Sequence, residues 1–485
     1  MAALVSPLVL FSQNLSSDYK PIRSFRAPRT LIEEYEFKFN AWGSKTKLKN
    51  KKARDKFLEM SKEKAEFFYS LDTSNAMMYS DSMTIFLNAV KDHIVSQNPI
   101  TQGRKFVVFT YKSAAPNAFN LGEGIILVST GLLERFQTVD QIAFVISHEM
   151  SHDLLNHVFE SMEQFCDASA DAAFKKKIKK TSRQVYGRNA GLEKIIRTFY
   201  ANHMNFSRAN ELQADSLGYI LLANAGFKIK AATEVMNILD SADYIRYADT
   251  LELSRIFSFP GYPFKSIWLD TENSKPLWER DSLLFKIPDS LKTHPDCKIR
   301  IEHFDTYKVK EIVSAHPDAT REDLSKKSLA VFPFENLDAI MTSNDYAVAL
   351  YTSLHMQKKF PDNIYLKCVV ANCLYELADA LVKSEYSKYV DFPDPEFSNG
   401  YNHWLTFLQN MNSSTLKNLF SNYYRQNLAS VPNNSYTAYL KIILDDMEKP
   451  GADMAPIIAK YESEQKDLYF VSLLKKKYPS KTKNK

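Results

Sequence analysis

The sequence predicts an α+β fold, mostly helical, with one small β-sheet in its first third and an all-helical C-terminal part. Three observations carry this. Of 485 residues only 12 are glycine, well below the usual share of ~7 %, so the residue that turns and bulges consume is scarce. Two compact β-branched and aromatic runs, Lys105–Tyr111 and Gly124–Thr130, read as strands. Beyond position 131 nearly every segment carries a helical pattern.

In chain order, the first segment is the apolar run Ala2–Phe11. It resembles the apolar part of a secretory signal but lacks a positively charged leader, so a signal over 1–13 and a plain apolar segment both stand. A helical register begins near Leu31 and continues through the charged Lys45–Lys64. The two strands follow, the second bracketed by Gly122, Gly124 and Gly131, a clustering that marks unusual backbone geometry or close approach by another chain. Thr138-Val-Asp-Gln141 is a capping box opening a helix over 139–160, with apolar Ile142, Val145, Ile146, Met150 and Leu154. A second helix is expected over Asn205–Ala225, stopped by Gly226. The Lys175–Lys180 run reads as a solvated face or loop. Lys308–Pro333 is charged and patternless, a connecting segment over 306–333. From 334 to 485 a helical domain is expected. Asn344–Leu381 reads as helix, Phe360–Asn363 turn, helix, a size like one tetratricopeptide unit, though no second copy recurs at that period. Further helices are expected over Asn402–Met411, Ser414–Asn427 and Ser435–Met447, and a frayed basic tail over Lys475–Lys485.

Composition excludes several functions. A net charge of +5 is too small to imply a nucleic-acid partner. Neither GxxxxGK[ST] nor GxGxxG occurs, so P-loop and dinucleotide chemistry have no support. No stretch of 18 apolar residues predicts a membrane-spanning helix. Cys166, Cys297, Cys368 and Cys373 are too few and too scattered for a disulfide framework, and read as buried thiols.

The helix over 139–160 contains His148-Glu149-Met150-Ser151-His152. Residues four apart share a helical face, so two imidazoles can meet one metal ion. Glu149, one step round, reaches a metal-bound water without being a ligand, the position of a general base. Apolar Phe144-Val-Ile before the motif places this turn in a core, where two unpaired histidines and a glutamate would be costly. A hydrolytic zinc site needs a third protein ligand and an open position. Glu211 on the second helix supplies the ligand, and Asp215, four residues on, can accept the free N–H of a ligand histidine. His157, five after His152, rotates about 140° away from the metal face, so it reads as a residue behind the ligands or on the surface and not as a ligand.

In one order the chain carries Asn117-Ala118-Phe119, Gly122 through Gly131-Leu132-Leu133, HEMSH, Glu211-x-x-x-Asp215 and His294-Pro295-x-x-x-x-Arg300. Together these resemble the gluzincin metallopeptidases that include HtpX, the CAAX prenyl proteases and the periplasmic BepA type. The resemblance spans about 70 to 305. It implies a zincin-like domain over 30–305 holding one Zn2+ through His148, His152 and Glu211, with Glu149 as base and Asp215 behind a ligand histidine. It further implies that Asn117, Ala118, Phe119 and the strand after them form the substrate-binding edge, placed around Gly124–Thr130. His294 and Arg300 match a downstream pair suited to charge stabilisation.

Lacking spanning helices, the chain resembles the soluble envelope type followed by a tetratricopeptide-like domain. The expected function is zinc-dependent endoproteolysis of protein substrates in envelope quality control, periplasmic or secreted, with cytoplasmic placement as the alternative. The C-terminal helices either recruit an envelope protein or merely cover the peptidase core. The rival function is a helical-repeat, chaperone-like binding protein with a weakly active peptidase domain.

Overall fold

The computed structural model describes residues 15–22, 29–74, 76–79, 82–169, 208–240, 247, 249–270, 297–304, 306–307, 319–394, 397–432 and 434–479. The apolar 1–13 segment, the Lys175–Lys180 run and His294 lie outside them. The chain divides into two compact units. The first takes Met1–Ser12, Pro21–Tyr244 and Arg280–Asn344; the second takes Gln13–Lys20, Ile245–Glu279 and Asp345–Lys485.

Among the described residues the longer helices of the first unit are α1 (Arg29–Lys45), α2 (Lys51–Thr73), α3 (Ser82–Gln97), α4 (Val139–Leu154), α5 (His157–Ser169), α6 (Arg208–Asn224), α7 (Ala231–Asp240), α8 (Cys297–Phe304) and α9 (Ala319–Thr342). Among the described residues four strands, β1 (Met77–Met78), β2 (Val107–Tyr111), β3 (Ala118–Gly122) and β4 (Ile125–Ser129), form one sheet in the order β1-β2-β4-β3. With this mostly helical chain around one small sheet, the structure has the expected α+β class. The aromatic core sets Phe39, Trp42, Phe57, Phe67 and Phe68 of α1 and α2 with Phe109, Tyr111 and Phe119 of the sheet.

The sheet corrects the expected edge. β4 is interior, parallel to β2 (Val108 opposite Ile126) and antiparallel to β3 (Asn120 opposite Ile126). Both of its backbone rims are occupied, so no peptide can add there. Among the described residues the outer strand on this side is β3. It doubles back through Glu123 and Gly124, both at positive φ, and a Cβ on Gly124 would lie 1.8 Å from the Lys105 carbonyl oxygen. Ile126→Pro is therefore expected to destabilise the sheet by removing a ladder donor, lowering the melting temperature, rather than to raise KM in an intact fold.

The Thr138–Gln141 capping box forms, and α4 starts at Val139 as expected. It stops at Leu154, short of position 160, because Asn156 adopts the left-handed conformation at φ 55° and a new helix begins at His157.

The segment read as patternless, 308–333, largely belongs to the 24-residue helix α9. Pro333 lies inside this helix, where in sequence it reads as a break, and the turn after it buries ions as well as apolar groups. Phe332, Phe334 and Leu337 are buried beside Glu335 and Asp338. These carboxylates meet the buried Lys112 ammonium at 2.5 and 3.4 Å, and Glu335 also accepts the Ile22 N–H at 2.7 Å. Lys112 donates in addition to the Ile22 carbonyl. A chain ending near Val331 loses both acids and leaves a buried lysine uncompensated. Such a loss costs about 3–5 kcal/mol. That truncated chain is expected to be insoluble or to melt at markedly lower temperature than full-length protein; an unchanged melt would remove this role for α9.

The second unit holds α10 (Tyr346–Lys359), α11 (Ile364–Val382), α12 (Asn399–Gln409), α13 (Ser413–Asn427), α14 (Ser435–Glu448), α15 (Met454–Gln465) and α16 (Leu468–Lys477). Lys475–Lys477, expected to fray, close α16. Helices α10 and α11 are joined through the Phe360–Asn363 turn, with Asn363 as N-cap accepting from the Leu366 N–H. The unit also draws on distant sequence. Ile364 N–H donates to the Ser17 carbonyl at 2.8 Å, and Phe257 stacks on Phe407 at 5.3 Å. It is therefore not a contiguous C-terminal domain. The four cysteines are free and buried, two of them on α11.

One titration follows from this packing. His355 is buried, stacked on Tyr247 at 4.6 Å and set against Tyr351 at 4.4 Å, with Asp249 3.3 Å from its Nδ1. Burial pushes its pKa down to about 4, against the opposing pull of Asp249, while Lys358 adds to the depression. The unfolded chain binds this proton near pH 6.5 and the folded chain does not. Stability is therefore full above pH 6.5 and falls as pH drops towards 4, by up to about 3 kcal/mol. His355→Gln is expected to flatten the loss over that window in urea melts; an unchanged pH slope would contradict it.

Candidate metal centre

The site lies where α4 and α6 cross. Gly218 permits the approach: a Cβ there would sit 3.0 Å from the His148 backbone. His148 and His152 of α4 and Glu211 of α6 are all buried, and ligand atoms of the three lie within 4.8 Å of one another. His148 Nε2 and His152 Nε2 are 3.1 Å apart. Glu211 Oε2 is 3.6 Å from the first and Oε1 is 3.5 Å from the second. Ligands about 2.0–2.2 Å from a tetrahedral zinc stand roughly 3.3–3.5 Å from each other. The donor set thus fits a zinc ion in kind and in spacing.

The far nitrogens are engaged. His148 Nδ1 is 3.0 Å from Asp215 Oδ1, and His152 Nδ1 is 3.1 Å from His157 Nδ1. With Nδ1–H on both rings, two Nε2 lone pairs would face each other at 3.1 Å, an arrangement that a cation between them relieves. Glu149, between the two histidines in sequence, is buried as well.

Arg300 completes the charge balance. Its Nε and Nη2 donate to the Asp215 carboxylate at 2.7 and 2.6 Å, and Nη1 lies 3.0 Å from Glu211 Oε2. Burial raises the Asp215 carboxyl, but the Arg300 guanidinium and His148 more than offset this and hold it below the ordinary value. Arg300 reaches the site because Phe304, one turn later on α8, stacks on Tyr219 and meets Phe144 edge-on, at 5.7 and 5.6 Å. Arg300, expected near the metal site, lies there with its guanidinium directed at the two acids. His294, its expected companion, lies outside the described residues.

Asn117 is tied to β4, its N–H donating to Ser129 Oγ and its carbonyl accepting the Ser129 N–H at 2.9 and 2.8 Å. Ala118 is buried, and the Phe119 ring packs on Tyr111 and Phe67 in the core. A substrate edge here would use the Phe119 main chain, not its ring. Gly124 N–H donates to Asp153 at 2.9 Å, which ties the β3–β4 turn to the end of the motif helix.

Sequence reasoning left His157 either behind the metal ligands or on the surface and missed which of the two holds. His157 is buried beside His152, not turned away, because the helix breaks before it. Asn156 was the available signal, since asparagine tolerates the left-handed conformation. Gln213, whose Oε1 is 3.1 Å from His157 Nε2, was also missed.

Two histidines and a glutamate at a helix crossing, beside an outer strand, are the arrangement of an HExxH metallopeptidase domain. Residues 87–308 match peptidase family M48, and the chain carries a domain of that family. It is 30 % identical over 146 residues to a beta-barrel assembly-enhancing protease of Vibrio cholerae, covering 30 % of each chain. It is 28 % identical over 178 residues to the mitochondrial metalloendopeptidase OMA1 of Arabidopsis thaliana, covering 33 % of this chain and 34 % of that one. To the mitochondrial metalloendopeptidase OMA1 of Bos taurus it is 22 % identical over 290 residues, covering 53 % and 48 %. The chain thus spans less than half the length of these curated relatives. Among the described residues no helix is long and apolar enough to cross a membrane.

Proposed function

We propose that the chain is a zinc-dependent metalloendopeptidase. The observation that carries this is the buried His148–His152–Glu211 cluster, with its atoms at zinc-ligand spacing. In this reading the three residues hold one Zn2+, which supplies Lewis acidity and an acidified water when bound. Glu149 would be the base of the reaction, its carboxylate taking a proton from the attacking water and handing it to the leaving amine. Asp215 keeps the proton on His148 Nδ1, and Arg300 holds Asp215 and Glu211 in place. The substrate lies extended along β3, near Asn117–Phe119, where main-chain pairing accepts varied sequences.

Casein cleavage by the full chain tests the proposal. It is expected to stop with a zinc chelator and to return with added zinc; cleavage indifferent to chelation would overturn it. The rival binding-protein reading loses ground to the complete HExxH–Glu211 set, since a dead enzyme has no need of its base. The envelope setting draws on the Ala2–Phe11 run and the Vibrio cholerae relative, while the OMA1 relatives are named mitochondrial. Fractionation distinguishes the two compartments. The helices of the second unit recruit an envelope protein in this account.

A further inference from the structure

We propose that His157, with Gln213 behind it, is a positioning residue that fixes the tautomer and ring orientation of His152. The inference rests on the zinc-site reading above. A histidine binds a metal only through an unprotonated ring nitrogen, and the proton on the other nitrogen needs an acceptor to keep it there. For His152 the metal-facing atom is Nε2, 3.5 Å from Glu211 Oε1 and 3.1 Å from His148 Nε2. Its Nδ1 must then carry the proton, and the neighbour in reach is His157 Nδ1 at 3.1 Å. His157 accepts there only if its own proton sits on Nε2. That atom is 3.1 Å from Gln213 Oε1, which is an acceptor alone.

The order is therefore directional: His152 donates to His157, and His157 donates to Gln213. Were Gln213 to offer its amide NH2 instead, every proton would shift one place and His152 Nε2 would be blocked. The two ligand histidines are thus held by different means. His148 has a carboxylate, Asp215, whose charge Arg300 balances. His152 has an imidazole, which orders the ring without adding another buried acid to Glu149, Glu211 and Asp215. Helix α6 governs both ends of the His152 ring, through Glu211 at Nε2 and through Gln213, two residues on, by way of His157.

Zinc affinity of the full chain, measured by competition with a chromogenic chelator, tests this, with melting of the zinc-free protein read alongside. His157→Phe keeps a flat ring but removes the acceptor and is expected to weaken zinc binding about 10–100-fold. Gln213 is exposed, so its variants should fold. Gln213→Leu is expected to bind zinc more weakly than wild type, and Gln213→Glu, which keeps an acceptor, to match it. A purely structural His157 would lower the zinc-free melting temperature and leave zinc affinity unchanged. Equal affinity in wild type, His157→Phe and Gln213→Leu overturns the proposal. If His157→Phe does not fold, the Gln213 pair decides, and equal affinity in Leu and Glu variants overturns it. Failure of the metal site itself reads differently: wild type would hold no zinc, or a His148→Ala/His152→Ala variant would still hold it.

Discussion

Glu149→Gln is expected to keep zinc and fold while losing peptide hydrolysis by a factor of about 10²–10⁴, the usual contribution of a positioned general base. Glutamine preserves the volume of this buried side chain and its capacity to hydrogen-bond, but cannot take a proton from water. Zinc content, melting temperature and kcat on a short peptide are the three readouts. The pattern expected is two unchanged and one collapsed. Unchanged turnover would remove Glu149 from the reaction, and with it the reading of the motif.

Arg300→Met is expected to lower stability by about 3–5 kcal/mol in the zinc-free protein, as when one partner of a buried ion pair is removed. Asp215 and Glu211 are both buried against this guanidinium, at 2.6 and 3.0 Å. Methionine fills much of the space and leaves two carboxylates without a cation. Arg300→Lys is expected to recover only part of the loss, since a single ammonium cannot reproduce the two-pronged contact with Asp215 while reaching Glu211. Urea denaturation of the chelator-treated protein measures both. A loss in Arg300→Met below about 1 kcal/mol, the scale of an exposed pair, would mean that the acids are compensated elsewhere.

The parts of the fold legible in sequence are those written in short-range chemistry. The Thr138–Gln141 capping box, the i,i+4 histidines and the Phe360–Asn363 turn are each written within a few residues, so spacing alone reveals them. What stayed hidden depends on pairing across the chain. Ile125–Ser129 has the better strand composition, yet β3 is the outer strand because β4 is inserted between β2 and β3. The first part of helix α9, 319–333, escaped notice because Pro333 sits inside the helix, where in sequence it reads as a break, and the acids that follow it, Glu335 and Asp338, find their partner Lys112 over two hundred residues away. The role of His157 was concealed by one left-handed residue, Asn156, which voids the helical-wheel angle. The division into units was hidden for a similar reason, since Gln13–Lys20 and Ile245–Glu279 belong with residues after 345.

The central claim is that one zinc ion is held by His148, His152 and Glu211, and metal analysis of purified full-length protein tests it most directly. Wild type is expected to contain close to one zinc per chain. Glu211→Gln should lower the occupancy, and His148→Ala/His152→Ala should abolish it in a protein that still folds. Near-stoichiometric zinc in the folded double variant would contradict the account.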